Sequence, residues 1–301
     1  MEITVLGTAS IGGVPEWDCA CPNCMAARRD PSLMRTRSSI AVTLDGDRYV
    51  LVDAGHDLKT QLETRGLTPR PDRAGGTHRE SRLDSVFLTH GHADHTVGVA
   101  EFCTGKSFEL PLYGPPDLID FLFGSEDAPN YFGELGRLAR DYVKPVKLGV
   151  GETVTRLGGL EIRGFEVRHT QVLPGGRRHP SSTYAYEISS GDGRAVYAPD
   201  IGLLDDAVLS RVEGCDVFLV DATFWWDDEL RRVSGIPVTS YQLGHVPQVE
   251  AVETLSGVDV GRVIYTHFNH TNPVLDPNRL QSKTVEAAGH ENAFDGMKIR
   301  V

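Results

Sequence analysis

The chain has 301 residues, of which 40% are hydrophobic and 24% are charged, and its formal net charge is −12. This composition is ordinary for a globular protein with enough chain to bury a core. The acidic balance argues against broad binding to nucleic acid or to an anionic membrane. The start, MEITVLGTAS, lacks the features of a secretory signal, and no apolar run approaches the roughly 18 residues of a membrane span. We therefore expect a cytoplasmic protein without a membrane partner.

Short runs of β-branched and aromatic residues, bounded by Gly, Pro, Asp or Asn, predict strands along the chain. They are residues 3–6, 39–44, 48–54, 84–90, 160–167, 183–189, 194–200, 215–222 and 262–267. Between them, apolar residues at helical spacing predict helices at 56–65, 116–123, 131–140, 203–212, 246–256 and 277–288. This order predicts two packed sheets covered by helices.

Several predicted strands end on a side chain that can bind metal. These residues are Asp53, His90, Asp200, Asp221 and His267, and His169 closely follows another strand. Strand ends on one rim of a scaffold can gather side chains that lie far apart in sequence. We therefore expect a single site at such a rim.

The segment HGHADH, residues 90–95, concentrates candidate metal ligands. In an extended turn, His90 and His92 point the same way and can bind one ion. Asp94 and His95 lie beyond them and can reach a second ion. Imidazole together with carboxylate suits Zn, Mn, Fe or Ni, and two ions about 3.5–4 Å apart can clamp the oxygens of a hydrolysis. The segment predicts a dinuclear metal site, with a merely polar loop as the alternative.

Three of the five cysteines, Cys19, Cys21 and Cys24, follow the pattern C-x-C-x₂-C. In a chain without a secretory signal, an odd cysteine count favours thiols or a metal over disulfides. Three thiolates need a fourth ligand to complete a structural zinc site. Three unligated thiols are the alternative.

The stretch THGHADH resembles the HxHxDH signature of the metallo-β-lactamase superfamily. Other motifs that resemble those of the family occur in the expected order along the chain. They are LVDAG (51–55), VRHTQ (167–171), YAPDIG (197–202) and YTHFNH (265–270). The resemblance implies an α+β four-layer αββα sandwich, which we expect as one domain over residues 1–301 with a candidate flexible insertion at 66–82. The implied ligands are His90, His92 and His169 for one metal and Asp94, His95 and His267 for the other, with Asp200 bridging.

The flanking motifs resemble the PqqB/PhnP-like branch of that superfamily. GGVPEWDCACPNC, LGHVPQ (243–248) and HTNPVLDP (270–277) look like PqqB, a protein of pyrroloquinoline quinone biosynthesis. The complete HxHxDH, YGPPD (113–117) and FDGM (294–297) are similar to the PhnP phosphodiesterases. The PhnP resemblance implies that His270 joins Cys19, Cys21 and Cys24 on a structural zinc.

The resemblance also implies roles for residues around the metals. Asp53 would brace the site, His245 would contact the substrate and protonate its leaving group, and Asp221 would orient a histidine. An ordinary residue at a helix start is the alternative for His245. Arginine suits phosphate or carboxylate, so Arg177 and Arg178 predict contacts to a small anionic substrate.

The leading interpretation is a dinuclear metallohydrolase with two divalent metals (Zn, Mn or Fe) and one structural zinc. A metal-bridging hydroxide, oriented by the catalytic residues Asp94 and Asp200, would attack a small phosphodiester, a cyclic one included, with His245 as the acid. The alternative is a PqqB-like, iron-dependent oxidative enzyme acting on a tyrosine- or peptide-derived intermediate of cofactor biosynthesis. A non-catalytic binding protein on this fold is a third interpretation. A homodimer is a candidate assembly.

Overall fold

Two seven-stranded mixed sheets pack face to face, and helices cover their outer faces. The computed structural model describes residues 1–70, 80–104, 109–124, 142–169, 172–173, 177–178 and 181–301. Within these residues the layering confirms the αββα sandwich expected from the sequence. All nine strands predicted from the sequence form, and each is matched within a few residues.

The first sheet has the strand order β16-β1-β2-β3-β4-β5-β6. Its strands are β1 (Glu2–Gly7), β2 (Ser39–Thr43), β3 (Tyr49–Val52), β4 (Leu83–Phe87), β5 (Leu110–Gly114), β6 (Val143–Lys147) and β16 (Lys298–Arg300). Neighbours from β3 to β6 run parallel, whereas β16, β1, β2 and β3 pair antiparallel.

The second sheet has the order β15-β14-β13-β12-β11-β8-β7, with β12 to β15 parallel. Its strands are β7 (Thr153–Arg156), β8 (Leu160–Glu166), β11 (Tyr184–Ser190), β12 (Gly193–Ala198), β13 (Cys215–Asp221), β14 (Val260–Thr266) and β15 (Glu291–Asn292). A separate antiparallel pair joins β9 (Val172–Leu173) to β10 (Arg177–Arg178). The central strand β13 reads as a continuous apolar run because helices and the other sheet cover both of its faces.

The helices in the described residues are short. They are α1 (Pro22–Arg29), α2 (Leu58–Thr64), α3 (Ala93–Thr96), α4 (Pro116–Phe123), α5 (Asp206–Val212), α6 (Glu229–Ser234), α7 (Gln248–Leu255) and α8 (Leu280–Ala287). The helix expected at 131–140 lies outside the described residues. None of the helices that the structure describes has the length and apolarity to cross a membrane.

Apolar side chains fill three layers between the elements. The layer between the two sheets includes Val5, Phe87, Tyr186, Leu219 and Ile264. A second layer packs α2 and α4 onto the first sheet, and a third packs α5, α7 and α8 onto the second sheet. Burial of these layers is the main favourable term in the folding of the sandwich, and it fixes the strand ends relative to one another.

The turn after β3 lies very close to the HGHADH segment. Gly55 is the residue at the contact, since a Cβ atom there would lie 2.0 Å from the backbone oxygen of Asp94. Asp53 and His267 have positive φ angles of 65° and 64°, a conformation that side-chain-bearing residues rarely adopt. Strain of this kind persists where the surrounding structure holds it, and it concentrates at functional sites.

Candidate metal centre

The metal-capable side chains lie at one rim, where the two sheets meet. The first sheet supplies Asp53 after β3 and the segment 90–95 after β4. The second sheet supplies His169 after β8, Asp200 after β12, Asp221 at the end of β13 and His267 after β14. These strand ends lie at the same edge, so side chains from six strands converge on one site.

The structure gathers all seven residues predicted as active-site ligands. One group consists of His90, His92, His169 and Asp200, and a second consists of Asp94, His95 and His267. A third, overlapping group joins His245 to Asp200 and His267. Within each group the ligand atoms lie within 4.8 Å of one another. His169 therefore lies beside His90, His92 and Asp200, where the sequence placed it as a candidate ligand.

Asp200 lies between the first two groups, with one carboxylate oxygen facing each. Its Oδ1 is 3.8 Å from His90 Nε2 and 3.5 Å from His169 Nε2. Its Oδ2 is 3.1 Å from His95 Nε2 and 3.4 Å from His267 Nε2. A carboxylate in this position can bind two cations at once, which is the geometry expected of a bridging ligand.

Partners on the outer ring nitrogens set the tautomers of the histidines. His95 Nδ1 lies 2.8 Å from Asp53 Oδ2, and His169 Nδ1 lies 2.7 Å from the backbone oxygen of Gly244. Both partners only accept hydrogen bonds, so each Nδ1 carries the proton. Thr89 and Thr223 donate their hydroxyls to Asp53 and Asp221, so they accept from Nδ1 of His90 and His267.

The inner atoms of the site suit a bound cation. With Nδ1 of His95 and of His267 turned to Asp53 and Thr223, their Nε2 atoms face each other at 3.3 Å, a contact that either a bound cation or a proton between them would stabilise. Several buried atoms make no hydrogen bond, namely His169 Nε2, Asp94 Oδ1 and both oxygens of Asp200. Buried polar atoms normally have partners, so this cluster of inward lone pairs fits metal ions.

The charge states also fit a metal site. Burial lowers the pKa of His169 to about 4 and holds the pKa of His90 well below its usual value, so both imidazoles are neutral donors. Burial alone would raise the pKa of Asp200 and Asp94, but the facing histidines outweigh it and hold both well below the usual range. Neutral imidazole and ionised carboxylate together suit Zn, Mn or Fe.

His245 and Asp221 form a buried pair at the edge of the same site. His245 Nδ1 lies 2.6 Å from Asp221 Oδ2, and the backbone amides of Ile201 and Thr223 donate to Asp221. Burial would lower the pKa of His245, but the charge and hydrogen bond of Asp221 outweigh it and raise that pKa. The geometry brings Asp221 to His245, whereas the sequence left open whether Asp221 would orient His245 or a ligand histidine.

The three cysteines of the C-x-C-x₂-C pattern come together with His270. The four ligand atoms lie within 4.8 Å of one another, and Cys21 Sγ lies 3.5 Å from His270 Nδ1. Burial raises the pKa of Cys24 to about 12, so a nearby cation is what would hold it as a thiolate. We call these four residues the Cys₃His cluster.

A cavity of about 540 Å³ connects the active-site ligands with the Cys₃His cluster. Its walls include His92, Asp94, Asp200, His245 and His267 at one end and Glu16, Asp18, Cys19 and His270 at the other. Apolar side chains complete the walls, namely Ile11, Phe224, Leu230, Ile236 and Leu243. Arg177 and Arg178 form the short strand β10, and their side chains lie outside the described part of the chain.

The sequence did not single out Thr89, Thr223 or Glu16, although all three contact site histidines. The two threonines stand beside recognised strand-end residues, in FLTH and DATF, which is the only signal that could have indicated them. Glu16 carried no signal, since a lone glutamate in a glycine- and proline-containing turn is usually exposed.

Comparisons with known proteins agree with this geometry. The family model described as "Beta-lactamase superfamily domain" matches residues 48–268. "Coenzyme PQQ synthesis protein B" of Methylobacterium nodulans is 33% identical, and the match covers 100% of both chains. The protein of the same description from Methylobacterium radiotolerans is 31% identical over 99% of each.

Solved structures show the same relationships. The crystal structure of Zn(2+)-bound PqqB from Methylobacterium extorquens has a TM-score of 0.88 and 28% identity, with 100% of each chain covered. A diphosphatase from the PhnP family has a TM-score of 0.71 and 22% identity, covering 99% of this chain and 97% of the other, which shows the shared fold. This chain therefore belongs to the β-lactamase superfamily, in its PqqB/PhnP-like branch.

Proposed function

We propose that this chain is a metal-dependent enzyme of pyrroloquinoline quinone synthesis that acts on a small-molecule intermediate. The observation that carries the proposal is the 33% identity to a "Coenzyme PQQ synthesis protein B" over the full length of both chains. The sequence left hydrolysis as the leading interpretation and PqqB-like oxidation as the alternative. The comparisons favour the alternative. The cytoplasmic location and the homodimer stay predictions.

Within this proposal, seven side chains hold two metal ions. His90, His92 and His169 bind the first ion, Asp94, His95 and His267 bind the second, and Asp200 bridges them. Three buried oxygens that make no hydrogen bond, Asp94 Oδ1 and both oxygens of Asp200, support this assignment, as do the facing Nε2 atoms of His95 and His267. The Cys₃His cluster holds a third ion, a structural zinc, because three thiols and an imidazole are a common zinc ligand set.

The side chains around the ions bind and orient the substrate and move its protons. Bound iron would supply redox chemistry, whereas bound zinc or manganese would supply Lewis acidity. Asp221 keeps the proton of His245 on Nδ1 and raises its basicity, so His245 can accept or return a proton through Nε2. Phe224 and Leu243 exclude water from the cavity wall beside it.

The charge of the cavity bears on the substrate class. Among the described residues that line it, none is Lys or Arg, and the charged side chains away from the metal centre are Glu16 and Asp18. No cationic side chain of the described wall is therefore available to pair with a phosphate away from the metal centre. This observation supports a small intermediate that is not a phosphate ester over the phosphodiester expected from the sequence.

Hydrolysis remains a second candidate because one observation favours it. All of the HxHxDH donors converge at the rim, and His245 lies close enough to Asp200 and His267 to share a group with them. A raised pKa on His245 suits an acid that protonates a leaving oxygen. The two candidates therefore differ in the metal and in the reaction, not in the residues.

Complementation tests the proposed role in synthesis. The chain is expressed in Methylorubrum extorquens lacking its own "Coenzyme PQQ synthesis protein B", and the quinone produced is measured. We expect production to be restored by the unaltered chain and by Asp192→Asn, an exposed control. Asp200→Asn is expected to abolish it. Failure of the well-expressed, metal-loaded chain to restore any production would contradict the proposal.

A second experiment separates the two chemistries. The purified protein is loaded with Fe(II), Mn(II) or Zn(II), and oxygen uptake with tyrosine-containing dipeptides is compared with hydrolysis of a chromogenic phosphodiester. Oxygen uptake with iron that is absent with zinc supports the oxidative chemistry. Turnover of the phosphodiester with zinc or manganese and no oxygen uptake with iron would support hydrolysis instead.

A further inference from the structure

Glu16 makes a close contact with the Cys₃His cluster. Its Oε2 lies 2.5 Å from His270 Nε2, and only 7% of the His270 side chain is exposed, against 30% of the Glu16 side chain. Because a carboxylate accepts hydrogen bonds, the imidazole proton lies on Nε2. The lone pair of His270 is therefore on Nδ1, the atom that faces Cys21 Sγ at 3.5 Å.

Glu16 is itself tied to the cluster through its backbone. Its amide N–H donates to Cys24 Sγ at 3.3 Å, and Arg28 Nη2 donates to its carbonyl oxygen at 2.6 Å. Arg28 belongs to α1, the helix that begins within the cysteine pattern. The Glu16 carboxylate therefore contacts His270, while the Glu16 backbone is held by the Cys24 thiol of the same cluster.

The Cys₃His cluster lies close in sequence to an active-site ligand. His270 follows His267 by three residues, and His267 has a φ of 64°. Between them, the amides of Phe268 and Asn269 donate to the backbone oxygens of Thr8 and Thr223 at 2.7 and 2.9 Å. The segment 267–270 is therefore held at both ends, by the active-site ligands and by the Cys₃His cluster.

We infer that Glu16 is a positioning residue that fixes His270 for a structural metal and, through the segment 267–270, steadies His267 in the active site. This inference rests on the metal occupancy proposed above, though not on the reaction. Carboxylates that accept from ligand histidines are common around metals, and their loss costs about 10–100-fold in metal affinity. Glu16, Cys19 and His270 also line the cavity, so the cluster forms part of the cavity wall as well as a proposed structural metal site.

The test uses the cobalt-substituted full-length protein, because thiolate-to-cobalt charge-transfer absorption reports only on the ion bound to the cysteines. The decay of this absorption after addition of EDTA is compared for the unaltered protein, Glu16→Ala, Glu16→Gln and Asp18→Asn. Asp18→Asn is the matched control, since it removes a carboxylate two residues away on the same cavity wall. Circular dichroism checks that each variant is folded.

We expect release to be roughly 10-fold faster or more in Glu16→Ala, intermediate in Glu16→Gln, which keeps an accepting oxygen, and unchanged in Asp18→Asn. A second readout is the affinity of the active site for Mn(II), followed by electron paramagnetic resonance, which we expect to weaken in Glu16→Ala alone. Equal release rates in Glu16→Ala and the unaltered protein would overturn the role of Glu16. Protein that shows no charge-transfer band would overturn both the occupancy of the cluster and the inference, whatever the complementation result.

Discussion

Each oxygen of Asp200 is buried, makes no hydrogen bond and faces a different pair of histidines. Asp200→Asn replaces one of these oxygens with an NH₂ group, which has no lone pair for a cation, and it removes the negative charge. We expect the variant to lose at least one active-site ion per chain while the ion of the Cys₃His cluster is retained. Metal content by mass spectrometry after gel filtration measures this. Asp192→Asn is the control, and equal metal content in the two variants would contradict a bridging role.

Gly55 permits the close approach between the turn after β3 and the HGHADH segment. Gly55→Ala would place a Cβ atom 2.0 Å from the backbone oxygen of Asp94, so either the turn or the ligand segment must move. We expect a loss of about 3 kcal/mol or more in the free energy of unfolding, together with weaker metal retention. Gly159→Ala is the matched control, because its nearest neighbour would be at 3.9 Å. A loss in Gly55→Ala no larger than in the control, by urea denaturation, would refute this.

At the residue scale, the sequence indicated the ligands that are local or that end strands. Residues 90–95 concentrate four donors, and Asp200 and His267 end apolar strands, so each carried a pattern. No sequence pattern indicated the residues that fix the tautomers of these histidines. Thr89, Thr223 and Glu16 act through hydrogen bonds formed by tertiary packing, and Gly244 acts through its backbone oxygen, which no side-chain pattern reports.

The helix α6 begins with a fully buried acid. Glu229 accepts hydrogen bonds from the backbone amide of Trp225 at 2.6 Å and from the hydroxyl of Thr271 at 2.5 Å. It thereby joins the wall segment that carries Leu230 and Ile236 to the loop that follows His270. Burial raises the pKa of Glu229 from 4.5 to about 7, and these hydrogen bonds oppose the shift only in part.

This pKa predicts how stability depends on pH. Between pH 4.5 and about 7 the folded chain keeps the Glu229 proton while the unfolded chain releases it, so stability falls as pH rises through this window. The full loss is about 3 kcal/mol. In Glu229→Gln, which mimics the protonated acid, we expect that part of the pH dependence to disappear. Urea denaturation of both proteins at about pH 5 and about pH 8 measures it, and identical pH dependence would contradict the assignment.

At the element scale, two of the strands that the sequence did not predict, β5 and β6, share one cause. β5 and β6 contain Pro111 and Pro145, and proline argues against a strand in a pattern-based prediction. β6 lies at the sheet edge, where a missing N–H costs little. The sequence did not predict helix α1 for a different reason. Its first turn overlaps the cysteine pattern, and its apolar face is short. Among the predicted strands, β2 and β3 are buried on both faces, which makes the apolar run continuous, whereas β8 alternates buried and exposed residues.

At the scale of the whole molecule, the two sheets contribute different side chains to each of the proposed metal sites. Metal held at these sites would favour the folded state over the unfolded chain, so it would stabilise the fold by mass action. We expect chelation to lower the melting temperature by roughly 5–10 °C. Differential scanning calorimetry with and without EDTA measures the shift. Asp200→Asn should lose less on chelation than the unaltered protein, and an equal shift in both would argue against stabilisation by the active-site ions.

The fold could be predicted from the sequence because the apolar strand runs, the helical spacing and the order of the family motifs all indicated the same architecture. The choice between chemistries did not follow, because oxidation and hydrolysis use the same His and Asp donors. The comparisons favour the alternative interpretation on full-length identity, which is a property of the entire chain and not of the ligand set.

The division of ligands between the sheets has a consequence for folding. His90 to His95 come from the first half of the chain, and His169, Asp200 and His267 come from the second. Neither half alone offers both oxygens of Asp200 and the HGHADH donors, so an ion finds its full coordination only after the halves have docked. Under the proposed ligand assignment, metal loading would belong to the last stage of folding, and a bound ion would act as a reversible cross-link that closes a very long loop and slows the separation of the halves.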